Sequence, residues 1–129
     1  MKKGNEYYSV EADKEKNRIN FSLIGKIPNV GAIPNFKSDW ESTVREVKKG
    51  FTILADLSKS ESLEPDVEQL NTEVQGWLMG QGLRKVAQLI GDLSVMSQVN
   101  EFAETSGMRD VLRAFNFEKS ALIWLNMEK

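Results

Sequence analysis

The chain contains no histidine and no cysteine. Without cysteine there can be no disulfide, thiolate metal site or thiol nucleophile, which fits an intracellular protein. Without histidine there can be no Ser-His-Asp triad, Cys-His dyad or common zinc site. Carboxylates alone could still hold magnesium or calcium. The expectation is no catalytic residue, no metal and no cofactor, hence not an enzyme. An excess of one charge is missing too: 17 basic residues against 19 acidic ones leave a net charge of −2. Nothing in that balance attracts nucleic acid or an anionic membrane. No apolar run nears the roughly 20 residues that span a bilayer, so no membrane span is expected. The first residues, Met1-Lys-Lys-Gly-Asn-Glu-Tyr-Tyr8, lack the apolar core of a signal peptide. A cytoplasmic location follows as an expectation.

What remains is an ordinary globular composition. Of 129 residues, 40% are hydrophobic and 28% charged, enough apolar content to build one core and one domain, residues 1–129. Three strand-like runs each lead into a helix-like run: Phe51-Thr-Ile-Leu-Ala-Asp-Leu57, Leu83-Arg-Lys-Val-Ala-Gln-Leu-Ile90 and Asp110-Val-Leu-Arg-Ala-Phe115. That rhythm specifies an α/β fold with a partly parallel sheet.

Two strands precede these runs. Glu6 to Glu11 places Tyr8 and Val10 on one face. Arg18 to Ile24 alternates, with Ile19, Phe21 and Leu23 on one face and Asn20 and Ser22 on the other, the pattern of a half-buried strand. The five-residue turn Asp13–Asn17 is too short for a parallel crossover, so the pair is read as an antiparallel hairpin. Pro28 and Pro34 make Gly25 to Pro34 a loop.

A helix is expected over Phe36–Lys49, with Phe36, Trp40, Val44 and Val47 in one stripe, Asn35 or Ser38 as cap and Gly50 past its end. Ser58 to Pro65 reads as a polar loop. Pro65 suits the first turn of a second helix, with Asp66 and Glu68 complementing its dipole. Its buried face would be Val67, Leu70, Val74, Trp77 and Leu78, and Gly80-Gln-Gly82 terminates it. A third helix should follow Gly91-Asp92 and end at Gly107. A fourth, capped by Asn116, should turn Ala121, Leu122, Trp124 and Leu125 inward. The expected architecture is a single-domain α/β fold. It has a mixed, mostly parallel sheet of about five strands and four helices, in the order ββαβαβαβα.

That order covers the chain from about Tyr7 to Leu125. Together with Trp40, Asp56-Leu-Ser58, Trp77-Leu78, Leu83-Arg-Lys-Val86 and Gly107-Met108, it resembles the STAS domain, and most closely the SpoIIAA-like branch of small stand-alone proteins. That fold is also similar to one used by lipid carriers. The resemblance implies a bacterial regulatory or protein-interaction module. Anti-sigma-factor antagonists of this family are switched by phosphorylation of a serine in an Asp-Ser-Ser-Gly-like turn. Aligned on Asp56-Leu-Ser58, that turn falls at Glu64-Pro65. Proline has no hydroxyl, so the switch does not carry over.

Candidate surface residues lie where the strands are expected to end. In open α/β sheets, ligands gather at carboxyl ends of strands near a reversal of strand order. Asp56, Ser58, Ser60 and Ser62 flank the exit of one strand, and Gly91, Asp92 and Ser94 the exit of the next. Asp56 reads best as an acid hydrogen-bonded to the loop that follows it, and Asp92 as a helix cap. The three tryptophans read as core, although a tryptophan-lined cavity would suit a small apolar or lipid-like ligand. The leading expectation is another protein as partner, with a carrier of such a ligand as the alternative. Homodimerisation is a further expectation, with no surface singled out.

Overall fold

A computed structural model describes residues 2–61, 63–90 and 111–127. Among the described residues, six strands form one sheet in the order β1-β2-β3-β4-β5-β6. They are β1 (Lys3–Gly4), β2 (Tyr8–Asp13), β3 (Arg18–Gly25), β4 (Thr52–Ser60), β5 (Lys85–Leu89) and β6 (Leu112–Phe115). The first two pairings are antiparallel and the next three parallel. The described helices are α1 (Phe36–Val44), α2 (Pro65–Met79) and α3 (Glu118–Asn126), with a 3-10 turn at Val30–Ala32. The α/β class and the mostly parallel sheet agree with the sequence reading. The count does not: β1 adds a sixth strand. The helix expected after Gly91-Asp92 lies outside the described residues.

The alternation in β2 and β3 decides which way the sheet faces. Tyr8, Val10, Ile19, Phe21 and Leu23 all point to one side and are buried there with Ile53, Ala55 and Leu57 of β4. Helices α1 and α2 cover this side through Phe36, Trp40, Val67, Val74 and Leu78. An aromatic cluster holds α1 down. Phe36 meets Tyr8 and Phe21 edge-on at 5.1 and 5.9 Å, and Trp40 lies 4.9 Å from Phe21. Such pairs add about 0.5–1.5 kcal/mol each beyond simple burial. On the other side, Leu54, Ala87 and Leu89 pack against Ala121 and Leu125 of α3. The domain therefore has three layers, with α1 and α2 on one face and α3 on the other.

Several boundaries differ from the sequence reading, three of them with structural consequences. Helix α1 stops at Val44 rather than Lys49. Asn17, in a left-handed conformation (φ 53°) at the hairpin turn, explains this. Its side chain donates to the carbonyl of Lys48 at 3.1 Å and accepts from the Lys48 N–H at 2.8 Å. Both backbone groups of Lys48 are thus used outside a helix, and the chain turns at Lys49–Gly50 before β4. Asn35 is the N-cap residue of α1 but makes no side-chain cap bond; its carbonyl instead accepts from Ser38 Oγ at 3.1 Å. Helix α3 begins one residue later than expected, with Phe117 rather than Asn116 at the cap and no side-chain bond there.

The third difference bears on the candidate site. Strand β4 does not end at Leu57 but continues to Ser60, because Gly25 extends β3 and its carbonyl accepts from Glu61 N at 3.1 Å. Ser58 and Ser60 are strand residues, not loop residues. The termination signal Gly80-Gln-Gly82 is confirmed in form. Gly82 has φ +91°, and a Cβ there would lie 2.8 Å from the Lys49 side chain, so glycine is needed for both conformation and space.

Candidate functional site

Between Ser22 and Ile24 of β3, the partner strand slips from Asp56 to Lys59. Leu57 and Ser58 together oppose Leu23, which is a β-bulge. The bulge frees the Ser58 N–H from the ladder, and it donates to Asp56 Oδ1 at 3.0 Å. Ser58 Oγ donates to the same oxygen at 2.5 Å. Asp56 is thus a half-buried acid hydrogen-bonded across the bulge, to a residue of the same strand rather than to a following loop. Ser58 is exposed beside it.

Ser60 does not join them. The slip in register turns it inward: it is 5% exposed and its hydroxyl donates to the Glu61 carbonyl at 2.9 Å. Ser62, Gly91, Asp92 and Ser94 lie outside the described residues. The expected crevice at a reversal of strand order also has no counterpart among the described strands, since their spatial order follows the sequence without reversal.

The structure adds residues that the sequence reading did not single out as a site. On the outer face, Ser9, Ser22 and Asp56 stand in register across three strands, and Glu11, Asn20 and Leu54 form the next row. Ser9 and Ser22 share a hydroxyl–hydroxyl hydrogen bond of 2.7 Å. These side chains floor an open groove of about 230 Å³, bounded by Lys2, Leu89 and Glu118. The only signal in the sequence was the polar half of the β3 alternation, Asn20 and Ser22. Helix α3 stands over β4, β5 and β6, and no described helix covers β2 and β3 on this face.

At the opposite end of the same face, the basic residues have a structural task. Arg84 donates to the carbonyls of Met127 at 2.8 Å and Leu125 at 3.1 Å. Lys85 Nζ donates to those of Trp124 at 2.9 Å and Met127 at 3.0 Å. Arg18 reaches Asn126 Oδ1 at 2.8 Å and Thr52 at 3.0 Å. These cations satisfy and complement the carboxyl end of α3. Burial, then the neighbouring Arg84 and Arg113 charges, hold the Lys85 ammonium below its ordinary pKa. The doublet Arg84-Lys85 is thus a helix anchor.

The tryptophans do not share a cavity. Trp124 packs on the α3 side against Phe115 at 5.6 Å and beneath Lys85. Trp77 packs partly buried against the α1/α2 core. Trp40 alone lines the void between those helices and the sheet, and that void is about 20 Å³, room for about one water. Among the described residues, no group of three histidine, cysteine, aspartate or glutamate side chains is placed to hold a metal ion. No described helix is long and apolar enough to cross a membrane.

Chemically, the groove offers hydroxyls, an amide and carboxylates for hydrogen bonding. Asp56 is engaged by Ser58, and no base or oxyanion donor accompanies the pair among the described contacts. No family model matches the chain, and no curated protein does.

Proposed function

We propose that this protein is a non-enzymatic regulatory or protein-interaction module, as its resemblance to STAS domains implies, without that family's phospho-switch serine. The observation that supports the reading is the uneven cover of the outer face. Over β2, β3 and the end of β4, the sheet presents Ser9, Glu11, Asn20, Ser22, Asp56 and Ser58 to solvent. On the same outer face, the α3 segment exposes Phe117 (71%), beside Glu118 at the edge of the groove, and Ile123 (59%) farther along the helix. A polar groove beside exposed apolar side chains has the mixed character of a partner-binding surface.

The alternative, a carrier of a small apolar or lipid-like ligand, needs enclosed space. The 20 Å³ void beneath Trp40 admits no acyl chain in this conformation. The interaction reading therefore stands first.

A photocrosslinking residue in place of Ser58, compared in cells with one in place of Lys14, tests it. Lys14 is 71% exposed and lies in the hairpin turn at the other end of the sheet. A discrete protein adduct should form from position 58 and weaken when Ser22→Arg fills the groove. Equal labelling from both positions, or none from position 58, defeats the reading.

A further inference from the structure

The strongest unexplained chemistry lies on the opposite side of the sheet, so it stands apart from the outer-face reading. Four uncharged polar side chains from three elements enter the apolar space beneath α2: Trp40 from α1, Asn71 and Gln75 from α2, and Gln88 from β5. All are buried, at 3%, 7%, 7% and 3% exposure respectively. The rest of the lining is apolar, with Phe21, Ile53, Ala55 and Val86 among it. Among the described residues, Trp40 Nε1 and Gln88 Oε1 have no hydrogen-bond partner. A donor and an acceptor, both desolvated, face one void.

Leaving such groups unpaired is unfavourable, and apolar residues of similar size would avoid the penalty. Core stability therefore does not account for them. A second observation concerns α2 itself. Helix α1 lies close along β2 and α3 close along β5, whereas the backbone of α2 comes closest to the 3-10 turn and makes no comparable approach to a strand. This helix is held over the orphaned groups by its side chains Val67, Val74 and Leu78 rather than by close backbone approach to a strand.

We propose that the space beneath α2 is a binding site for a small uncharged alcohol or phenol, admitted by outward movement of α2. One hydroxyl can accept from the Trp40 indole N–H while donating to the Gln88 carbonyl oxygen. The apolar body of the ligand would lie against Phe21, Ile53, Ala55 and Val86. The Asn71 and Gln75 amides, carried on the moving helix, add further polar contacts at the rim. The present void of about 20 Å³ is the closed form, with space for one water.

The test uses the whole protein and two probes that differ by one hydroxyl: benzyl alcohol and toluene. The indole N–H resonance of Trp40, assigned with Trp40→Phe, is followed during each titration. Benzyl alcohol should shift it saturably, and toluene should bind about tenfold more weakly, the effect of leaving the two polar atoms unpaired. In Gln88→Met that preference should disappear. Should Gln88→Met fail to fold, the alcohol-to-toluene ratio in the unaltered protein still decides. Equal binding of both probes overturns the proposal. So does an unmoved Trp40 signal up to the solubility limit, which would identify the void as the seat of a structural water only.

Discussion

The two faces of the sheet are built on different terms. The face under α1 and α2 is apolar from β2 across to β6, apart from the polar groups of Trp40, Asn71, Gln75 and Gln88 beneath α2. The outer face is apolar only beneath α3, through Leu54, Ala87 and Leu89, and becomes polar over β2 and β3. The contrast separates what holds the molecule together from what is left to meet something else. Burial of apolar area dominates folding free energy, so the first face should carry most of the stability. The second face tolerates polar residues because helix cover ends there.

The contrast is broken most sharply by Phe36→Ala. This side chain is 2% exposed and joins Tyr8 and Phe21 in the aromatic cluster. Its loss removes burial and leaves a cavity, so urea unfolding should show a loss of about 3–5 kcal/mol. A loss below 1 kcal/mol would mean that the α1 side is not the principal core.

Next in size is the anchor of α3. Lys85→Ala deletes two charge-assisted bonds to the end of that helix, which should cost about 1.5–3 kcal/mol. Amide exchange should accelerate in α3 while α1 stays protected. Uniform acceleration of both helices would show that the two faces unfold as one unit.

pH resolves the faces by a smaller effect. Tyr8, beneath α1, donates to Asp39 Oδ2. Burial first, then that bond and the carboxylate charge, raise its pKa above the ordinary 10.0. The unfolded chain therefore loses this proton more readily than the folded one. The stabilisation is complete below pH 10 and declines as pH rises above it. Lys85 has the opposite sign: its lowered pKa means that the unfolded state holds the proton more tightly, so its contribution improves as pH approaches the ordinary lysine value of 10.5 from below. Tyr8→Phe should cost about 1–2 kcal/mol at neutral pH and flatten the decline above pH 10. An unchanged alkaline slope would place its cause elsewhere.

How far the sequence foretold this arrangement depends on where each signal resides. The β3 alternation was readable because one face of a hairpin must be buried, and the structure keeps every inward and outward assignment from Ile19 to Leu23. Pro65 at the start of α2 was equally legible, since proline fits the first turn on local grounds. The end of α1 was not, because Asn17, far away in sequence, claims Lys48. Of the candidate residues, Asp56 and Ser58 come together as neighbours on β4, while Ser60 turns inward. What separates them is a slip in register, which needs both strands and cannot be seen in either alone. The groove was illegible for a related reason. Its floor is written in β2 and β3, but its openness depends on which strands α3 covers.

The smallest effect is expected at the groove itself, and that smallness makes it informative. Ser58→Ala removes the hydroxyl bond to Asp56 but leaves the backbone N–H bond that shapes the bulge. Because Ser58 is exposed, stability should change by no more than about 0.5 kcal/mol. Asp56→Ala removes both bonds and should cost more, about 1 kcal/mol, by releasing the bulge. Combining the two changes in a double-mutant cycle then isolates the hydroxyl's share, expected below about 1 kcal/mol. If Ser58→Ala alone costs 2 kcal/mol or more, the Asp56–Ser58 pair is part of the fold's support, and the outer face loses its standing as a surface whose residues are spared from stability. If the cost is slight while crosslinking from position 58 depends on Asp56, the two faces separate as the geometry suggests, one folding the chain and the other meeting its partner.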